Sequence, residues 1–492
     1  MNRYGLAKPD EAIRDSRNPF SLGALPNRMT ELPDRVVGDA RTSDFGWSLL
    51  TDLTDIGNRM AGSTGERRGA ERVVEAFEAA GLRNAGLDEF EIPGWWRGDS
   101  SLSVSGAVER HHGNSHEVIA LPGTPSGEVT APLVDVGDGT DEEFAAAGEA
   151  LDGAVAMASS RTPESHDRWI HRMEKYVAAA ERGAVGFVFR NHIEGALPPT
   201  GEIGYHNRPG PIPAVGVSKE VGERLARLAA EAGENGAGVP DAPEVSIEVD
   251  CRNEPTTSVN AVADVGPDTD DAVFLTAHVD AHDVSDGAND NGAGSALVAE
   301  IGRLLASVEG DLDTRVRLVA FGAEEIGLWG AYHAAETTPH DQIACVVNLD
   351  GACSSRNLRV GTNGFDGMGA VFESVAEAFD APIQTGETVS PHGDQWAFVQ
   401  EGIPAVMAST TSERSGRGWG HTHADTLDKL DPRDLREVAT LVAEATYRFA
   451  TDGGGAAGGD EVAHRSRAAI RESIADGYVT ELKTGGRWPY DE

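Results

Sequence analysis

The chain has 492 residues, 81 of them acidic and 41 basic, for a formal charge of −40. That charge repels phosphate backbones and anionic bilayers, which excludes nucleic acid and membrane surfaces as partners. Three cysteines are too few for a disulfide framework, and no run approaches the ~20 apolar residues of a membrane span.

Five of the basic residues are lysines: Lys8, Lys175, Lys219, Lys429 and Lys483. Acid excess with little lysine is a composition of the halophilic type. At molar salt the Debye length falls to roughly 3 Å, so the self-repulsion is screened there and unscreened in dilute buffer. The N-terminus has no apolar core and no twin arginine, so no export signal is read and the cytoplasm is the expected location. The length predicts two or three domains.

In chain order, residues 1–30 are polar and Pro-dotted and read as a loose arm. Helical spacing begins at Phe45 (FGWSLLTDLTDIGNR) and returns in ERRGAERVVEAFEAAGL, which ends on Gly81. Residues 88–96 and 101–106 read as two short strands. A different block, 118–245, alternates short β-rich runs (APLVDVG, GAVAMAS, AVGFVFR, IPAVGVS) with helices over 167–183 and from Glu220. From Ser258 the pattern is α/β: SVNAVADV, AVFLTAHV, RVRLVAF, ACVVNLD and IPAVMAS are strands, with GSALVAEIGRLL and GAVFESVAEAF as helices between them. A Gly-rich linker (451–461), a short helix and an aromatic end follow. The division is therefore 1–117 (arm and first part of a catalytic domain), 118–245 (insert), 246–450 (second part of the catalytic domain) and 451–492 (linker and tail).

Four of these strands end in groups that carry chemistry. AVFLTAHVD ends in His278 and Asp280, with Asp290 twelve residues on. RVRLVAF leads to Glu324 and Glu325, ACVVNLD ends in Asp350, and IPAVMAS precedes a loop with His421 and His423. In an α/β fold such groups gather at the carboxyl ends of parallel strands. Imidazoles and carboxylates converging without a basic partner are costly unless cations neutralise them. This donor mix suits zinc, with cobalt or manganese as alternatives, and one Asp bridging two ions makes a hydrolytic centre.

The motifs HVD…GANDNGAGS, AFGAEEIGLWGA, VVNLDG, GDQWAFVQEGIPAV and HTHADTLDKLD resemble the co-catalytic di-zinc aminopeptidases, metallopeptidase family 28. The insert resembles a protease-associated domain, in LDGAVAMAS, AAAERGAVGFVF and IPAVGVS. The resemblance implies the zinc exopeptidase fold, a mixed, mostly parallel sheet sandwiched by helices, with a small β-rich insert. It implies two zinc ions: His278 and Asp350 hold one, Glu325 and His421 the other, and Asp290 bridges them. Glu324 is then the general base, and Asp280 hydrogen-bonds His278. The implied reaction removes N-terminal residues from short peptides through a metal-activated water.

Three positions depart from the pattern. Gly420 stands where several members carry a Tyr that donates to the oxyanion. His423 competes with His421 as a ligand, the HT..DT frame favouring His421. His282 makes HVDAHD and is a rival ligand set aside in favour of the five above. His111, His112 and His116 read as surface groups, Asp394 as pocket wall, and Trp329 and Trp396 as core or pocket lining.

Two other functions stay open at this point. A carboxypeptidase or dipeptidase of the glutamate or plasma carboxypeptidase branch would need an arginine for a free carboxylate, with Arg356, Arg414 and Arg417 as candidates. A non-catalytic receptor-like homologue would have lost ligands or the base. The insert is expected to form a lid or wall beside the active site. Oligomeric state is not set by the sequence.

Overall fold

The computed structural model describes residues 31–491 except 107–108, 114–115, 167, 207, 236–243, 412–417 and 452–461. The expected N-terminal arm, nearly all of the Gly-rich linker, and Arg414 and Arg417 lie outside the described residues.

The strands are β1 (Arg83–Ser105), β2 (Arg110–His112), β3 (Val118–Ala120), β4 (Gly127–Asp135), β5 (Val155–Ser159), β6 (Gly186–Arg190), β7 (Ala214–Val217), β8 (Glu244–Val265), β9 (Ala272–His278), β10 (Arg315–Phe321), β11 (Ile343–Leu349), β12 (Leu358–Gly361), β13 (Ile383–Gly386) and β14 (Ala405–Thr410). Their order across the sheet is β13-β12-β14-β11-β9-β10-β8-β4-β5-β6-β7-β3. The central strands β14, β11, β9 and β10 run parallel. β12 and β8 pair antiparallel on either side of them. This is the mixed, mostly parallel sheet flanked by helices that the sequence predicts. β9 is buried at every residue, which is why it reads as an unbroken apolar run.

The helix Ala293–Ala306 packs on β9, β10 and β11 and buries twelve of its fourteen residues. Leu297, Ile301, Leu304 and Leu305 are fully buried, and truncating one such leucine to Ala typically costs about 2–5 kcal/mol. Packing of this kind fixes where β9 ends, and therefore where His278 sits.

The insert forms its own parallel run, β4-β5-β6-β7, over a core that includes Phe144, Tyr176 and Phe187. It is not a separate sheet. β8 pairs with β4 over Glu244–Val249 and with β10 over Ala261–Val265, so one strand serves both halves. The boundary expected at 245/246 falls inside this strand. The two strands expected at 88–96 and 101–106 are one, β1, which pairs along nearly the whole of β8 with an irregularity between Arg97 and Ser100. The gap expected at 97–100 coincides with that irregularity. In the structure Pro93 faces Pro255, so two residues without an N–H share one rung of the ladder.

The helix expected over 167–183 is shorter, Arg172–Glu181. His171 Nδ1 accepts from Met173 N at 3.1 Å, and Glu174 accepts from His171 N at 2.9 Å, so a capping box starts the helix there. The apolar spacing of Trp169 and Ile170 continues past that cap in sequence but not in conformation.

Two short helices, Arg467–Ser473 and Asp476–Thr484, close the chain where one was expected. Glu481 on the second is fully buried. It lies 3.4 Å from Arg168 of the insert and 2.7 Å from His392 of the catalytic half. The tail thus straps the insert to the catalytic half.

Candidate metal centre

Adjacency of β11, β9 and β10 in one parallel register brings their carboxyl ends together. His278 Nε2 lies 3.3 Å from Asp290 Oδ1, 3.7 Å from Asp350 Oδ1 and 3.8 Å from Glu324 Oε2. On the other side, His421 Nε2 lies 3.3 Å from Asp290 Oδ2 and 3.1 Å from Glu325 Oε2. The two oxygens of Asp290 therefore face different histidines. Two groups form: His278, Asp290 and Asp350, and His282, Glu325 and His421, with the donor atoms in each within 4.8 Å of one another. His423 stands apart. Its Nδ1 lies 2.8 Å from Val284 O, and its ring packs on His116.

Asp280 and several groups outside the expected set hold these side chains. Asp280 does more than face His278. Its backbone O lies 3.1 Å from His278 Nδ1 and its Oδ1 3.4 Å away, while its carboxylate accepts the N–H groups of Glu324 and Glu325 at 3.1 and 3.2 Å. Glu66, buried, accepts from Ala323 N at 2.9 Å and Ser258 Oγ at 2.6 Å. The turn carrying Glu324 and Glu325 is thus clamped by two buried carboxylates. Asp425 accepts from Asn289 N at 2.9 Å and Asp290 N at 3.0 Å. Thr200 of the insert meets His421, its O lying 3.3 Å from His421 Nδ1. Arg59, fully buried, donates to the carbonyls of Leu53, Val279, Asp286 and Gly287, a cation behind the site that sequence reading missed. Glu66 had a visible signal, the S-x-x-E cap at Ser63. Arg59 and Thr200 had none, because the contacts that tie them to the site, Arg59 to Val279 and Thr200 to His421, each span more than 200 residues.

The paired glutamates are electrostatically opposite. Burial, reinforced by Glu325, Asp394 and Asp350, pushes the Glu324 carboxyl well above the usual range. Burial also opposes charge on Glu325, but His282 and His421 outweigh it and hold Glu325 well below the usual range. Burial opposes charge on His278 too, and the carboxylates around it, Glu324 first, raise it well above the usual imidazole value. Asp394 is fully buried and pushed well up by burial. Trp396 is core, while Trp329 stacks on His206 at 4.3 Å.

Two cavities open on the cluster. One, about 510 Å³, is lined by Asp290, Asp350, Arg359, Met407, Trp419 and Lys429. The other, about 710 Å³, lies between the insert and His421, with Trp169, Arg172, Asn191 and Thr200 on its wall. The expected wall beside the site is therefore supplied by the insert. Gly418 and Gly420 line both cavities.

Residues 260–446 match Peptidase family M28, and residues 129–225 match the PA domain. Over these residues the chain is similar to peptidase family M28, with a PA-like domain inserted ahead of the matching part. Aminopeptidase YwaD of Bacillus subtilis (strain 168) is 27% identical over 443 residues, covering 86% of this chain and 87% of that one. Carboxypeptidase Q of Bos taurus is 24% identical over 412 residues, covering 81% and 83%. Among solved structures, BSAP, a zinc aminopeptidase from Bacillus subtilis, superposes with TM-score 0.65 at 26% identity, covering 86% of this chain and 97% of that one. A peptidase M28 precursor from Shewanella amazonensis SB2B shares the fold, with TM-score 0.71 at 23% identity over 85% and 96% of the two chains.

Family M28 implies metal, and the residues here fit it. His278 Nε2 and His282 Nε2 crowd carboxylate oxygens at 3.3 and 2.9 Å, yet neither makes an aligned hydrogen bond among the described residues. Buried imidazole nitrogens aimed with carboxylates at common points, rather than at each other, are the donor arrangement of a divalent cation. No helix among the described residues is long and apolar enough to cross a membrane.

Proposed function

We propose that this chain is a zinc aminopeptidase that removes N-terminal residues from short peptides. The observation that carries the reading is Asp290, whose two oxygens face His278 on one side and His421 on the other. His278 and Asp350 would hold one zinc ion, Glu325 and His421 the second, and Asp290 both. Bound zinc supplies Lewis acidity and brings the pKa of a water near neutrality.

The remaining work falls to protein groups. Glu324, 3.8 Å from His278 Nε2 and with its carboxyl pushed up by burial, takes the proton of the attacking water and delivers it to the departing amine. Glu66 and Asp280 keep its turn fixed, which is what a general base needs to stay in register with the carbonyl. The substrate's ammonium group seeks carboxylates, so the N-terminal residue occupies the 510 Å³ cavity lined by Asp290 and Asp350. The rest of the peptide runs into the 710 Å³ cavity under the insert, whose wall limits length.

One observation favours a second reading. Arg359, which is not among the sequence candidates, lines the 510 Å³ cavity without an acidic partner among the described residues, whereas Arg356, the one expected candidate that is described, is paired with Asp434 at 2.8 Å. An arginine there would also suit a substrate carboxylate, as a carboxypeptidase or dipeptidase requires. Amino-acid p-nitroanilides, N-acetylated peptides and C-terminally amidated peptides, assayed at molar KCl, separate the two. The aminopeptidase reading requires cleavage of the first and third sets and none of the second. Cleavage of N-acetylated peptides with free C-termini overturns it.

A further inference from the structure

His282 belongs to no role assigned above, yet it is one of the most enclosed polar groups at the centre. It is 3% exposed, and its Nε2 lies 2.9 Å from Glu325 Oε2, the same oxygen that His421 Nε2 approaches at 3.1 Å. The two imidazoles meet edge to face, with ring centroids 4.4 Å apart and planes at 82°. Neither His282 nitrogen makes an aligned hydrogen bond among the described residues. A histidine serving only to orient Glu325 would point an N–H along the line to that oxygen. Here His282 and His421 each bring a ring nitrogen to the same Glu325 oxygen, and the three donor atoms lie within 4.8 Å of one another, close enough to share one cation.

We propose that His282 is a fourth protein ligand of the second zinc ion, beside Glu325, His421 and the shared Asp290. This rests on the two-zinc reading above and adds an asymmetry to it. With Asp290 shared, the Glu325 side offers four protein donors: His282, Glu325, His421 and Asp290. The His278 side offers three: His278, Asp350 and Asp290. Four protein donors close a tetrahedral zinc site, whereas three leave a position open. The ion at Glu325, His282 and His421 is the tightly held one, and the ion at His278 and Asp350 exchanges more readily and keeps the open position. Glu324, the proposed base, also stands on that side, 3.8 Å from His278 Nε2.

Zinc titrated calorimetrically into metal-free full-length chain at molar KCl should bind in two steps of unequal affinity. His282→Ala and His282→Gln should both weaken the tighter step by more than the roughly 10–100-fold that a partner outside the ligand set is worth. The Gln variant matters, because its amide still donates to Glu325 and would preserve a purely orienting role. The cobalt-loaded protein provides a second readout, since loss of a ligand at a four-coordinate site reduces its visible d–d absorption. If His282→Gln retains both zinc affinities and the cobalt spectrum, His282 only orients Glu325 and the proposal is overturned. If the wild-type chain itself takes up no zinc, the two-zinc reading fails first and is distinguishable from this outcome.

Discussion

Thr200 and His421 hold each other across the boundary between insert and catalytic half: Thr200 N donates to His421 O at 2.9 Å, and His421 Nδ1 lies 3.3 Å from Thr200 O. A metal-ligating imidazole takes its ring orientation from what its second nitrogen meets. The PA insert therefore does more than wall the entrance. Replacing residues 129–225 with a short Gly/Ser linker should weaken metal retention at the His421 side by roughly 10–100-fold, read as zinc per chain after dialysis against a weak chelator. A folded deletion that keeps the wild-type zinc content shows that His421 needs no help from the insert.

Glu324→Gln should retain metal and lose about 10²–10⁴-fold in kcat, because it removes the proton acceptor and no ligand. Elemental analysis alongside the kinetics decides between roles: a variant that loses metal stoichiometry would exchange the assignments of Glu324 and Glu325.

Lys175 is buried in the insert, and its ammonium donates to the carbonyls of Ser159 and Arg161 at 2.7 and 2.8 Å. Burial pushes its pKa down to about 8 from 10.5. Below about 8 both folded and unfolded chains carry the proton. Between about 8 and 10.5 only the unfolded chain does, so this group's contribution to stability rises with pH across that window. Denaturant unfolding of wild type and Lys175→Met at successive pH values should show a difference changing by about 1.4 kcal/mol per unit, in favour of wild type as pH rises. A flat difference means that the ammonium is not desolvated as its burial requires.

The charge of −40 should make the fold salt-dependent. At about 3 M KCl the repulsion is screened within roughly 3 Å, whereas at about 50 mM it persists beyond roughly 10 Å. The melting temperature should rise markedly between these two conditions. Equal values at both would remove the halophilic reading of the composition.

The sequence revealed the strand ends because β9, β10, β11 and β14 are apolar runs that stop at polar groups, and parallel pairing does the rest. It concealed whatever depends on tertiary approach. Glu66 reaches Ala323 across 257 residues, and Arg59 reaches Val279 across 220. The S-x-x-E spacing marks Glu66 as part of a helix cap but not its reach to Ala323, and nothing local marks the Arg59 contact. His282 falls outside the five-ligand pattern, which is complete without it, and only the shared approach to Glu325 Oε2 places it beside the other donors. The sequence divides β1 at 97–100, where the ladder with β8 is irregular but does not end.

The aminopeptidase proposal stands or falls on two zinc ions held at Asp290. The most direct test is to strip the metal, count it by elemental analysis, and follow leucine p-nitroanilide hydrolysis as zinc is returned. The account predicts no hydrolysis in the stripped protein and full recovery at two zinc ions per chain. Full activity in protein verified as metal-free would contradict it.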